Sequence, residues 1–125
     1  MELELLFGRY ALCRLPVGSD LPKWLKGAFY SVTVTPTEVS VICEAARVPA
    51  NVPHEPGWRC FVVRGTLDYS LTGILSSFAA PLAEAGVSLF ALSTFDTNYL
   101  LVTNDCLEEA VAALTAAGHT VRKGV

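Results

Sequence analysis

Two short polar stretches hold most of the groups in this chain that could recognise a small molecule. The first, Gly65-Thr-Leu-Asp-Tyr-Ser-Leu-Thr-Gly73, carries Asp68 and Ser70 where a helix is expected to begin near Ser70. A helix start offers amide N–H groups without intrahelical acceptors and a partial positive charge, which suits a carboxylate. The second, Ser93-Thr-Phe-Asp-Thr-Asn98, adds Asp96 and turn carbonyls that could accept from an ammonium. Together they match the two charged groups of an α-amino acid in outline. The same residues also serve as a helix cap (Ser70), a packing glycine (Gly73) and a turn acid (Asp96), and spacing alone favours that structural reading.

Catalytic chemistry has little to draw on. The chain contains no GxSxG, P-loop, GxGxxG or HExxH pattern. His54 lies in a proline-rich stretch and His119 opens the last predicted strand, neither beside an evident nucleophile. Asp68 and Asp96 could form a carboxylate pair, but no second element of an acid–base mechanism accompanies them. Cys13, Cys43, Cys60 and Cys106 stand far apart, with no CxxC pair and no histidine at metal-ligand spacing. The first three sit in apolar runs and read as small core hydrophobes. Cys106, next to a predicted helix cap, is the one candidate for a reactive thiol. The expectation is a protein without catalysis, cofactor or metal.

The elements that position the two stretches follow from periodicity. Arg59-Cys-Phe-Val-Val-Arg-Gly65 is apolar on both faces and predicts a central strand. Leu71, Ile74, Leu75, Phe78, Ala79, Leu82 and Ala85 recur at helical spacing, with Asp68 or Ser70 as cap, Gly86 as stop and a kink at Pro81. Val87–Thr94 and Asn98–Thr103 predict two strands joined by a hairpin turn at Phe95-Asp96-Thr97. Asp105 with Glu108 forms a capping box before a helix carrying Leu107, Ala110, Val111 and Leu114. Gly118 ends that helix, and His119–Lys123 predicts a last strand. This order is an α+β, ferredoxin-like split βαβ layer with both helices on one face. Its first two strands run parallel with the third between them, so both polar stretches leave the sheet at one rim. Helices cover one face only, leaving the other for a partner.

The N-terminal half reads as a reduced version of the same unit. Tyr10–Leu15, Phe29–Thr35 and Val39–Glu44 predict strands, and Leu21–Lys26 one or two helical turns. Ala45–Trp58, with Pro49, Pro53 and Pro56, predicts a long loop without a helix. The expected division is residues 1–58 and 59–125. With 125 residues, 52 % hydrophobic and 17 % charged, the chain can build a real core. Nine Lys and Arg against twelve Asp and Glu leave no basic excess for nucleic acid. No apolar run is long enough for a bilayer, and acids stand where a secretory leader would carry bases. The expectation is a soluble, cytoplasmic protein.

Gly65–Leu75, Pro81-Leu-Ala-Glu-Ala-Gly-Val87 and Leu92-Ser-Thr-Phe-Asp-Thr-Asn-Tyr-Leu-Leu-Val102 together resemble the ACT domain. The resemblance is to small tandem-ACT proteins related to aspartate kinase regulatory modules and to cytosolic arginine sensors of animals. Tyr10-Ala-Leu-Cys-Arg-Leu-Pro16, Phe29-Tyr-Ser-Val-Thr33 and Glu38-Val-Ser-Val-Ile-Cys43 resemble the degenerate first unit of that branch. The resemblance implies a ferredoxin-like tandem pair that binds an amino acid and reports its presence. It implies a ligand held by Asp68, Tyr69, Ser70, Leu71, Thr72, Gly73 and Ile74 and by Ser93, Thr94, Phe95, Asp96 and Asn98. Relatives commonly carry Asp where Asn98 stands, and Asn supplies no charge for a cationic group. A neutral or small polar amino acid is therefore easier to accommodate than a guanidinium, although Asp68 and Asp96 keep a basic one open. Side-by-side association implies a homodimer with the ligand at the seam, acting on a further protein that the sequence does not name. The alternative is an assembly module without a small ligand.

Overall fold

One interior strand of a sheet comes from the start of the chain. Glu2-Leu3-Glu4-Leu5 alternates charge with leucine, the period of a strand that buries one face. This strand, β1 (Glu2–Leu5), pairs antiparallel with β5 (His54–Val63) through Leu3–Val63 and Leu5–Phe61. On its other side it runs parallel to β8 (Thr120–Lys123), from Glu2–Thr120 to Leu5–Lys123. The computed structural model describes residues 1–65 and 73–124. It divides into two compact units, Met1–Phe7 with Arg59–Val125, and Gly8–Trp58. The expected assignment of the first seven residues to the N-terminal unit is thus corrected, because the hydrogen bonds of β1 are made with β5 and β8.

The unit containing the C-terminal half has the ferredoxin-like order, β5, α1 (Ile74–Glu84), β6 (Phe90–Ser93), β7 (Asn98–Thr103), α2 (Leu107–Ala116), β8. Across its sheet the strands lie β6-β7-β5-β1-β8, with β1 inserted between the first and last strands of the motif. Both helices bury one stripe against the same core. Phe78 and Leu82 of α1 and Ala110 and Leu114 of α2 meet Leu3, Leu5, Phe61, Val63, Leu100 and Val102. Each helix ends in a Schellman motif: Val87 N–H reaches Leu82 C=O at 2.9 Å, and His119 N–H reaches Leu114 C=O at 3.1 Å. Helix α2 is not capped by Asp105. A 3₁₀ turn (Asn104–Cys106) precedes it, Cys106 is its N-cap residue, and no side chain caps it. Glu108 and Glu109 in its first turn still oppose the helix dipole favourably.

Helix α1 runs on through Pro81. Proline has no N–H to give the carbonyl four residues back, which is that of Ser77. That carbonyl accepts instead from His119 Nε2 at 2.8 Å, and the Met1 amino nitrogen lies 3.0 Å from His119 Nδ1. A carbonyl only accepts, so the ring carries its proton on Nε2. The imidazole is buried against Phe78, with ring centroids 4.8 Å apart.

The unit of residues 8–58 is a sheet in the order β3 (Ser31–Val34), β4 (Val39–Glu44), β2 (Tyr10–Leu15) and the first half of β5. Ala11, Cys13, Val41 and Cys43 form the core face, covered by Trp24, Leu25, Val48 and Val52. The expected helical turns at Leu21–Lys26 are absent; the segment makes a turn closed by Leu25 N–H on Pro22 C=O. The expected loop Ala45–Trp58 is shorter than predicted, since Ala45–Arg47 is a 3₁₀ turn and β5 begins at His54. Pro56 and Gly57 sit inside that strand where its register against β2 shifts, between the pairs Tyr10–Trp58 and Leu12–Glu55. Such an irregularity accommodates a residue that cannot donate to the ladder.

Burial pushes the Cys43 and Cys60 thiols up to about 12, with Cys13 beside Cys43 adding to the effect there. Burial also raises Cys13, partly offset by its hydrogen bond with Cys43. These are core thiols. Among the described residues no group of His, Cys, Asp and Glu is placed to hold a metal ion. No described helix is long and apolar enough to cross a membrane.

Two measurements check this packing. His119→Phe strands the Ser77 carbonyl and should cost about 1–3 kcal/mol in urea unfolding. The loss should shrink in a Pro81→Ala background, where residue 81 regains its N–H, so the double variant loses less than the sum of the two single losses. The second concerns Glu4, whose carboxylate is gripped by two N–H groups of Arg64. That hydrogen bond holds Glu4 below its ordinary 4.5. A depressed carboxyl contributes stability above its unfolded value and loses it as pH falls through the folded one. Glu4→Gln should therefore lower stability at neutral pH slightly and flatten the loss of stability on acidification below about pH 4.5.

Candidate functional site

The predicted rim is built where β5 and the β6–β7 hairpin end together. Strand β7 pairs with both β5 and β6 and so lies between them. Thr97 Oγ1 donates to the carbonyl of Val63, the last residue of β5, at 2.6 Å. This bond ties the hairpin tip to the point where the first polar stretch leaves the sheet. Within the hairpin, Ser93 and Asn98 are paired residues, and Ser93 Oγ donates to Asn98 Oδ1 at 2.7 Å. Thr94 N–H closes the turn on Thr97 C=O at 2.8 Å, and Thr97 N–H bonds Thr94 Oγ1 at 3.2 Å. A threonine that bonds forward to the backbone in this way fixes a turn without glycine.

The candidate residues of the hairpin thus fall into two sets. Ser93, Thr94 and Asn98 belong to the hydrogen-bonded frame, with Asn98 only 9 % exposed. Phe95 and Asp96 stand at the exposed tip, Phe95 at 84 %. Thr97, absent from the sequence-derived set, is the residue that locks the tip to β5. Its signal is the threonine pair at positions 94 and 97, which reads as turn chemistry.

The helix side is corrected in one respect. Helix α1 begins at Ile74, so its N-cap is Gly73 and not Asp68 or Ser70. The amides without intrahelical acceptors are those of Ile74, Leu75 and Ser76, because Ser77 N–H already reaches Gly73 C=O at 2.9 Å. Gly73 has φ 75° and a Cβ there would meet nothing within 4 Å. Its glycine is required by backbone conformation, not by close packing. Asp68, Tyr69, Ser70, Leu71 and Thr72 lie outside the described residues. Ile74 packs against the core and Leu75 is 44 % exposed.

The tie between hairpin and strand has a measurable weight. Thr97→Val keeps the branched shape and deletes the hydroxyl, and should lower unfolding stability in urea by about 1 kcal/mol.

The comparisons with known proteins agree with this architecture. A family model for the ACT domain matches residues 54–116, and a second model, described as an N-terminal domain, matches residues 8–51. No curated protein matches the sequence. Among solved structures, a protein from Agobacterium tumefaciens is 37 % identical with a TM-score of 0.92, covering 99 % of this chain and 93 % of its own. A Vibrio cholerae protein of unknown function, described as a possible transport protein, is 20 % identical with a TM-score of 0.76, over 93 % of this chain and 88 % of that one. The ligand-free regulatory subunit of aspartate kinase from Thermus thermophilus shares the fold at 12 % identity and a TM-score of 0.62, over 93 % of this chain and 96 % of that one. The ACT match contains the hairpin, both helices and the strand that the hairpin is tied to, and it spans half of the residues. The chain belongs to the ACT-domain family.

Proposed function

We propose that this protein is a non-catalytic regulatory module that binds an amino acid at the rim of its C-terminal ACT unit. The observation that carries the reading is the 2.6 Å bond from Thr97 to Val63, which sets the hairpin beside the end of β5. The ligand carboxylate is assigned to the first-turn amides of α1, and the ammonium to Asp68, Asp96 and hairpin carbonyls. Fold similarity to aspartate kinase regulatory subunits supports the class of role.

The site is completed in this reading by a second copy, whose ACT unit lies beside the first to form a homodimer. A ligand held by two units stabilises one relative orientation of them, and the change is passed to a further protein. Exposed Leu75 and Phe95 at the same rim also favour a second reading, an assembly module that pairs there without a ligand.

A thermal-shift screen of the twenty amino acids separates the two. At ~100 times its dissociation constant a ligand adds about 2.7 kcal/mol, while an assembly module shows no shift with any of them. Gly73→Asp and Gly73→Asn impose the same backbone conformation on a side chain, and only Asp adds charge where the carboxylate is placed. Gly73→Asp should bind about tenfold or more weakly than Gly73→Asn. Equal affinities of the two variants would move the site elsewhere.

A further inference from the structure

The unit of residues 8–58 holds a hollow of about 430 Å³ whose lining has both signs of charge. Leu12, Cys13 and Pro53 are its apolar part, and Arg14, Glu38, Ser40, His54 and Glu55 its polar part. The volume lies within the range of small-molecule sites. Register places the key groups. Arg14 pairs with Ser40 on β4, and Leu12 pairs with Glu55 on β5, so these four share a face of the sheet. Arg14 N–H bonds Pro53 C=O at 3.1 Å, which puts Glu55 on the diagonal from Arg14. Glu38, two residues before Ser40, takes the corresponding diagonal on the other side.

One guanidinium therefore stands between two carboxylates across neighbouring strands, yet the ion pairs among the described residues are made by other side chains. His54 pairs with Cys13 and so belongs to the opposite face, where its Nδ1 donates to Val52 C=O at 2.6 Å. The hollow offers a planar, bidentate donor for a carboxylate and two carboxylates as acceptors for N–H groups. A metal ion does not fit, since Glu38, His54 and Glu55 do not converge as a ligand group. Arg14 with two glutamates leaves one uncompensated negative charge. The complement is a molecule with one carboxylate and two amino groups.

We infer that this hollow is a second ligand site, for a diamino acid, separate from the rim proposed above. The carboxylate is taken by Arg14, the two ammonium groups by Glu38 and Glu55, and the methylene chain lies on Leu12 and Pro53. The inference rests on residues of the N-terminal unit alone and stands or falls independently of the rim.

The test is a titration of the isotope-labelled full chain with L-lysine, followed through its amide resonances. Lysine or ornithine, up to about 10 mM, should shift the amides of Leu12, Arg14, Ser40 and Glu55, with L-alanine and L-glutamate far weaker. Arg14→Met should weaken lysine binding about tenfold or more, and Arg14→Lys should restore part of it. Glu38→Gln with Glu55→Gln reverses the lining charge and should remove the preference for lysine over glutamate. The same shifts should persist in Gly73→Asp, whose defect is confined to the rim. Absence of shifts at those four amides, equal shifts with alanine, or unchanged affinity in Arg14→Met would each overturn the inference.

Discussion

The C-terminal sheet depends on hydrogen bonds made by a strand remote in sequence from the rest of it. Both edges of β1 are paired, to β5 on one side and β8 on the other, so its peptide groups would be unsatisfied in a buried layer without them. Leu3 and Leu5 then deliver two side chains to the core beneath the helices. The first and last strands of the ferredoxin-like motif, which would otherwise meet, are held apart by this insertion. Salt bridges from Glu4 to Arg64 and Glu2 to Arg122 fasten the same three strands on their exposed side.

The rim inherits its shape from that sheet. Because β7 separates β5 from β6, the hairpin tip and the exit of β5 come together, and Thr97 fixes their spacing. Helix α1 is set against the same core by Phe78 and Leu82, and its Ser77 carbonyl, left open by Pro81, accepts from His119. This edge thus rests on packed elements, while the tip of its hairpin is exposed.

Much of this architecture is legible in the residues. Asn98–Thr103 reads as a strand because apolar side chains dominate it and a turn precedes it. Leu107, Ala110, Val111 and Leu114 recur at helical spacing, and the helix forms over Leu107–Ala116. The losses have specific causes. The alternation Glu2-Leu3-Glu4-Leu5 is a genuine strand signal, but four residues carry little weight until partners on both sides are known. The apolar period of α1 gives no sharp start in the sequence, and the backbone conformation of Gly73 sets the boundary. Asp105 matches a capping box by spacing, yet a 3₁₀ turn intervenes. The function of Thr97 is invisible locally because its partner is thirty-four positions away.

The register shift in β5 also bears on how this strand can change over evolution. Counting in twos from Trp58 would put Glu55 on the opposite side of the sheet, beside the thiols of Cys13 and Cys43. The extra residue at the shift restores Glu55 to the side of Leu12. A single deletion at Pro56 or Gly57 would straighten the ladder and keep Glu55 where it is. The same deletion among Phe61–Val63 would turn the core side chains outward. Length variation in this strand should therefore be tolerated at one point and nowhere else along it.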